Sequence, residues 1–495
     1  MNQDNGGIIG KINTPTTSLA SGVWSLDSQF DSQSSSIWPL AFPNTTIANS
    51  CRFNGASSED LERTPSSSGN NNKNTLSVWL KRSKVDEEDF IIYGFGGSAN
   101  RCKITFKADN KLQINTIVSS SNNLVYETNR LFRDTNAWYH IVIAFDSTLA
   151  TAGDRCRLYV NGVEETSFAT ETDMGQNTSN FLSTSGTPVY IGSQESGNYF
   201  DGYMTEFVFV DGQQLEPTAF GAFNPVTNIW EPIGYGGTYG TNGFRLDFAD
   251  SSALGNDVSG NDNDFTVQNL TSVDQSTDTC SNNFITLNPL QSGPITFTDG
   301  NLTQGNTSST GNNAISTIGA TSGKWYAEVK CTAVGSNGTT VGFVNLNKSS
   351  LQIQNISPGQ DNFSAGLYSN GGPIFYSSET TFATVGSTSD GDIIQLAMDL
   401  DNGYLYWGRN GTYLNSGVPT SGSTGTGGLA TSNLGSGEIG FGMWQRNSAS
   451  ASWNYGSPSF SISSGNADAN GFGNFEYAPP SGYFALNTKN LSEFG

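Results

Sequence analysis

Trp138-Tyr139-His140-Ile141-Val142-Ile143-Ala144-Phe145-Asp146, followed by Arg157-Leu158-Tyr159-Val160-Asn161-Gly162, decides how the chain is read. The first run is β-branched and aromatic and ends on an acid, as a buried strand does. The second is a shorter strand ending in Asn-Gly, the strongest hairpin signal, because both central residues of a type I′ turn need positive φ. Outward from this pair, Thr75–Lys81, Lys103–Phe106, Lys111–Ile117, Tyr190–Ser193 and Tyr203–Val210 read as further short strands separated by turn-forming clusters. That is the pattern of an antiparallel sandwich. A second set runs from Gly323 to Phe460: Gly323–Val329, Val341–Val344, Gly403–Gly411, Gly440–Trp444 and Trp453–Phe460.

The bulk numbers agree. At 495 residues the chain is too long for one core and calls for two to four domains. Hydrophobic residues are 35% and aromatics 12%, which suits thin sandwiches that bury one face of each strand and fill the gap with large rings. Tracts such as Ser66–Asn72 and Ser421–Gly428 are turn-formers, and no long helical periodicity is visible. The formal charge of −22 argues against nucleic acid and anionic membrane as primary partners. Cys51, Cys102, Cys156, Cys280 and Cys331 are scattered and odd in number, so they read as buried reduced thiols and point to assembly in a reducing cytosol. The N-terminus has neither the basic nor the apolar region of a signal peptide, and no apolar run is long enough to span a bilayer.

The 138–162 stretch resembles the laminin-G-like or pentraxin-type signature of concanavalin-A-like jelly rolls. Thr75–Arg82 matches that family's early strand, and Gly192-Ser193 with Phe200–Phe207 its closing strand. Gly323–Val329, Val341–Val344, Gly403–Gly411, Gly440–Trp444 and Trp453–Phe460 resemble the SPRY (B30.2-like) sandwich. The implied fold is all-β: two consecutive antiparallel β-sandwiches, jelly roll then SPRY-like, behind an extended N-terminal segment. The division is 1–49 as an anchoring strap, 50–230 as the jelly roll, 231–313 as a bridge, 314–465 as the SPRY-like sandwich and 466–495 as a tail packing back.

Gly22–Leu26, Asn242-Gly243-Phe244 and the tail Phe475–Thr488 together resemble virion proteins of environmental phages. What that resemblance implies is a non-enzymatic surface protein, a fibre, spike or capsid decoration, assembled in host cytoplasm. Its partners would be other virion proteins and host-surface glycans, with no nucleic acid and no membrane insertion. Ile8, Ile9, Val23, Trp24, Leu26 and Trp38 of the strap are the candidate attachment residues. Phage appendages of this kind are commonly homotrimers, although no heptad repeat drives one here.

The single histidine, His140, sits inside the strand signature, so a structural role outweighs a catalytic one, and no Gly-x-Ser-x-Gly elbow accompanies it. Glycoside hydrolases on this fold use Glu-x-Asp-x-x-Glu; the nearest run, Glu171-Thr172-Asp173-Met174-Gly175-Gln176, lacks the final acid and is expected in a loop. A glycan-degrading depolymerase is therefore the alternative, and a purely structural head or tail component a third reading. No catalytic or cofactor-binding residue is assigned. Asp257-x-Ser259-x-Asn261-x-Asn263 alternates oxygen donors as a Ca²⁺ loop does, and relatives often bind Ca²⁺, but it lacks the bidentate Glu, and an Asx-bonded polar turn is the simpler reading. Gly319–Lys324 is one residue short of a phosphate loop and no helix follows. Trp407, Tyr413, Trp444 and Trp453 could stack on sugars, but a sandwich needs most of its rings inside.

Overall fold

The computed structural model describes residues 27–28, 31–32, 45–195, 197–291, 295–306, 311–336, 338–349 and 356–495. The six candidate attachment residues Ile8, Ile9, Val23, Trp24, Leu26 and Trp38 lie outside them. Two compact units are present, one of residues 47–217 with 237–495, the other of residues 1–46 with 218–236. Among the described residues no helix is long and apolar enough to cross a membrane.

The larger unit holds both sandwiches. Within the described residues the first pairs two eight-stranded antiparallel sheets. One sheet centres on Lys73–Arg82, between Tyr139–Asp146 and Gly202–Asp211. Period-two alternation along Lys73–Arg82 sends Leu76, Val78 and Leu80 into the core, where Ile141, Ile143 and Phe145 join them. The facing sheet supplies Ile91, Ile104, Ile114 and Leu124 to the same cluster. Each such side chain taken from water stabilises the fold by roughly 1.5–3 kcal/mol. The Asn161-Gly162 turn is made as expected, with φ of 49° and 78°.

Two strands of the facing sheet were not anticipated: Asp89–Phe95 and Ser121–Leu131. A third corrects the sequence reading. Glu171 and Thr172 belong to the strand Phe168–Thr172, not to a loop, because Ser121–Leu131 offers them a ladder partner. Edge position explains the polar composition that disguised it.

Within the described residues the second sandwich packs a nine-stranded sheet on a six-stranded one. Lys324–Ala333 lies central in the first, pairing with Ile393–Asp399 and Ala449–Asn454. Trp325, Ala327 and Val329 point inward against Val341, Phe343, Phe441 and Met443 from the other sheet. The alternate residues Tyr326 and Glu328 face the C-terminal segment, where Phe475 and Tyr483 cover them. The buried Glu328 carboxylate accepts from Tyr326 Oη (2.9 Å), Asn454 Nδ2 (3.2 Å) and the N–H groups of Glu476 (2.9 Å) and Tyr477 (2.8 Å). Phe484–Ala485 then adds a short parallel strand beside Lys324–Ala333.

The described residues of 237–313 are shared between the sandwiches. Phe244–Leu246, Thr266–Gln268 and Gln275–Ser276 join the first; Thr296–Thr298, Thr303–Asn306 and Asn312–Ile315 join the second. Hydrogen bonds cross the junction. Tyr203 Oη donates to the Gly300 carbonyl (3.0 Å), Asn301 Nδ2 to Ser83 O (2.8 Å) and Asn54 Nδ2 to Asp299 Oδ1 (2.8 Å). Arg52, 1% exposed, donates through Nη2 to the Val273 carbonyl (2.7 Å) and through Nη1 to the Pro458 carbonyl (3.0 Å).

In the smaller unit the described residues form the hairpin of Gly221–Phe223 and Trp230–Pro232. Thr45 is tied to it, its N–H donating to Pro232 O at 2.8 Å. Phe223 packs edge-on to Trp230, while Val226 and Ile229 at the tip are exposed.

Candidate functional site

Three interstrand loops of the first sandwich meet at one rim: the turn Gly55–Ser57, the loop between Lys73–Arg82 and Asp89–Phe95, and the loop before Gly202–Asp211. Between them lies a hollow of about 470 Å³, lined among others by Ala56, Lys84, Glu87, Glu88, Asn198 and Tyr199.

The loops are positioned by buried groups beneath them. Arg82 ends its strand fully buried and donates to Asp89 Oδ2 (2.8 Å), Asn110 Oδ1 (3.1 Å) and Phe132 O (2.9 Å). Asn110 also accepts from the Asp86 N–H at 2.9 Å and donates to the Asp86 side chain at 2.7 Å. The turn through Asp86, at φ 64°, is thereby pinned from below. On the opposite wall Phe200 is buried edge-on to Phe53, and its N–H donates to Gly192 O at 2.7 Å. Asp201 follows, accepting from the Gly55 N–H at 3.0 Å and, on Oδ2, from Lys84 Nζ at 2.8 Å. Glycine at 55 leaves room for this pairing, since a Cβ would stand 2.6 Å from Asp201 Oδ2 and push that carboxylate aside.

The lining is net acidic, with Lys84 against Glu87, Glu88 and Asp201. Glu87, Asp89 and Asp201 each bring an oxygen within 4.8 Å of one another. Arg82 already sits on Asp89 and Lys84 on Asp201, with Glu87 Oε2 3.8 Å from the same ammonium. Burial opposes the Lys84 charge, but the Asp201 carboxylate and its hydrogen bond, with Glu87 and Asp89, raise its pKa above the usual lysine value. Burial pushes the Asp89 carboxyl up to about 7 against the pull of Arg82. What remains accessible is the half-buried Tyr199 ring, the exposed Asn198 amide, the Lys84 ammonium and the exposed Glu87 carboxylate. A flat ring beside planar polar groups can stack on one face of a ligand and bond its hydroxyls.

The candidate residues of the sequence fall elsewhere. His140 is fully buried, stacked on Trp79 at 4.6 Å, with Nε2 2.8 Å from Ser77 Oγ. Glu171 and Asp173 are exposed at the sheet edge, where Asp173 accepts from Tyr126 Oη at 2.8 Å. Asp257 spends both oxygens on the N–H groups of Arg245, Ser259 and Asn263 and on Ser259 Oγ, at 2.8–2.9 Å. Asn261 and Asn263 turn their amide nitrogens onto the carbonyls of Gly240, Thr241 and Gly243. This is a turn closed on itself. Lys324 begins a strand and pairs with Asp399 at 3.0 Å. Trp407 and Trp453 are core, Tyr413 is half-buried, and Trp444 is half-exposed under the Arg446 guanidinium at 5.1 Å.

None of the rim residues was singled out as a site from the sequence. The available signal was Ser83-Lys84-Val85-Asp86-Glu87-Glu88-Asp89, a dense charge run in a chain only 13% charged. What it lacked was Asn198, Tyr199 and Asp201, which only the fold brings alongside.

Residues 55–217, the part that builds this rim, match the Concanavalin A-like lectin/glucanases superfamily. No curated protein matches the chain. Among solved structures, the SPRY domain of human HERC1 is similar at 14% identity, over 34% of this chain and 96% of that one, with a TM-score of 0.27. The heptameric SAP-like pentraxin of Limulus polyphemus is similar at 16% identity, over 34% and 79%, with a TM-score of 0.27. Domain 4 of a GH43 extracellular arabinanase from Geobacillus stearothermophilus, in complex with arabinotriose, is similar at 16% identity, over 43% and 88%, with a TM-score of 0.27.

Proposed function

We propose that the protein is a non-enzymatic adhesion protein that holds glycans in the rim hollow of its first sandwich, carried on the surface of a phage particle. The observation that carries the glycan reading is the Tyr199 ring set beside Asn198 and the Lys84–Asp201 pair in an open hollow of about 470 Å³. A pyranose presents a flat C–H face for the ring and equatorial hydroxyls for amide, ammonium and carboxylate. Recognition by loops on a rigid sheet is the usual division of labour, and the lectin/glucanase match of residues 55–217 supports it. The virion setting is supported by the resemblance of the strap, bridge and tail to phage particle proteins. In that setting residues 1–49 attach to other virion proteins and the glycans belong to the host surface.

Binding rather than cleavage is favoured because Asp89 and Asp201 are tied to Arg82 and Lys84, and the acids left at the rim, Glu87 and Glu88, are neighbours on one loop instead of a pair facing each other across the hollow. The test is an immobilised glycan panel followed by titration of the hits. Tyr199→Ala is expected to weaken binding about ten-fold, or ~1.4 kcal/mol, with an unchanged thermal midpoint. Unaltered binding in that variant would refute the rim site. Reducing ends that accumulate with wild type and vanish with Glu171→Gln would make the protein a depolymerase instead. For the anchor, removal of residues 1–40 is expected to abolish incorporation into particles while glycan binding persists.

A further inference from the structure

A second hollow lies where the two sandwiches meet, far in sequence from the rim loops. It encloses about 300 Å³, and its walls come from both halves: Ser251, Ser272 and Gln275 from the first, Ser457, Phe460 and Ser461 from the second. That volume is at the lower end of what small-ligand sites enclose, and domain junctions are a preferred place for them.

A buried cation bridges the walls. The Val273 carbonyl, on the first sandwich's side, takes Arg52 Nη2, and the Pro458 carbonyl, on the second's, takes Arg52 Nη1. The guanidinium thus ties one wall to the other, together with the Ser276–Ser457 and Thr277–Gly456 contacts. Beside it, Ser457 Oγ lies 2.6 Å from Ser276 Oγ, and Gln275 Nε2 donates to Phe248 O (2.8 Å) and Ala249 O (2.9 Å), which fixes its amide as a lining group. The Phe460 ring, 9% exposed, carries the Lys330 ammonium 5.4 Å from its centroid.

The chemistry of the lining is selective. None of the described residues that line the hollow is ionisable, although the chain carries a formal charge of −22. Four serine hydroxyls, the Thr277 hydroxyl and the amides of Gln275 and Asn474 stand beside one aromatic ring and the short apolar groups of Val273, Pro458 and Ile462. The hydroxyls of Ser251, Ser272 and Ser461 can donate to or accept from sugar hydroxyls, Gln275, its Nε2 spent on two carbonyls, offers Oε1 as an acceptor, and no lining residue supplies a charged group with a counter-ion.

We propose that this junction cleft, bridged by Arg52, is a second saccharide site, specific for an uncharged sugar unit of one or two rings. It goes beyond the rim site and stands without it.

The test uses the full chain. Maltotriose, cellotriose and laminaritriose serve as neutral probes and trigalacturonic acid as the charged one, each titrated calorimetrically. Wild type and Tyr199→Ala are expected to bind at least one neutral probe alike at this site, and trigalacturonic acid at least ten-fold more weakly. Filling the cleft from either wall, with Ser251→Trp or Ser461→Trp, is expected to weaken that neutral binding at least ten-fold. Both serines are at the surface, so if one variant loses its thermal midpoint the other decides. Neutral binding that survives both tryptophans, or a Tyr199→Ala protein that binds none of the neutral probes, overturns the junction site. Binding lost on Tyr199→Ala but kept by both tryptophan variants leaves the rim reading standing alone. Binding lost only in the tryptophan variants supports the cleft and leaves the rim site to the glycan panel that tests it.

Discussion

Burial pushes the Glu59 carboxyl up to about 8, and Asp274 acts in the same direction, against the Asn54 N–H that it accepts at 2.7 Å. Between about pH 4.5 and pH 8 the folded protein therefore keeps a proton that the unfolded chain has released, and stability falls as pH rises through that window. Glu59→Gln leaves an acceptor for Asn54 and removes the charge. Stabilities from urea unfolding should coincide near pH 4.5, with the variant ahead by up to about 5 kcal/mol near pH 8.5, since each pKa unit is worth ~1.4 kcal/mol. A gap that does not change with pH would show Glu59 to be ionised throughout. His140 works with the opposite sign. Burial lowers its imidazole to about 3, so the folded state binds fewer protons than the unfolded chain below about pH 6.5, and stability is lost as pH falls from there toward 3. As the only histidine it gives one ring signal by NMR, which should not move between about pH 5 and pH 8; a midpoint near 6.5 would place it in contact with water. The structural role of His140 was legible, because its neighbours in sequence are the strand that buries it. Glu59 was not, because the acid that perturbs it arrives from Asp274, far along the chain.

Strands announced themselves where alternation and turn chemistry coincided. Cys156–Val160 and its Asn161-Gly162 turn are the clearest case: Asn161 Oδ1 accepts from the His140 N–H at 2.8 Å, and its own N–H donates to the His140 carbonyl at 2.9 Å, so the turn also fixes the register of the neighbouring strand. Gly162→Ala forces a Cβ into left-handed backbone at φ 78° and is expected to cost about 1–2 kcal/mol, read as a lower denaturant midpoint with an unchanged slope. No loss would mean that the turn relaxes to another type. Where alternation failed, so did the reading. Asp89–Phe95 carries a register shift between Phe90 and Ile92, which places an unbroken apolar run Phe90-Ile91-Ile92 across both faces. Ser121–Leu131 is polar because only a few of its residues meet the core, and Phe168–Thr172 at the edge meets almost none of it. The rim hollow was illegible for a related reason. Its residues come from loops, where no periodicity operates, and they are gathered only when Asp89–Phe95 and Gly202–Asp211 take their places in opposite sheets.

Two sandwiches in succession could be read from the chain; their union into one compact unit could not. The bonds that join them pair groups hundreds of positions apart, such as Arg52 with the Pro458 carbonyl and Ser276 with Ser457. No local pattern encodes such contacts, and the segment that supplies half of them, residues 231–313, reads as a bridge because its strands are only two to four residues long. The contacts matter because a buried arginine is costly unless its donors are met. Arg52 meets two carbonyls, and Asp274 lies 3.6 Å away to balance its charge. Cutting Arg52 back to methionine keeps most of the volume but orphans both carbonyls and leaves Asp274 without a counter-charge, a loss of about 3–5 kcal/mol by the behaviour of broken buried pairs. Because the loss falls on the seam and on neither core, it should separate the halves before it melts them. Wild-type protein is expected to unfold the 47–217/237–495 unit in a single calorimetric transition. Arg52→Met should resolve that peak into two, the first sandwich melting apart from the second. Two transitions already present in the wild type, or one sharp transition at a lower temperature in the variant, would mean that the seam is not where the two halves are coupled.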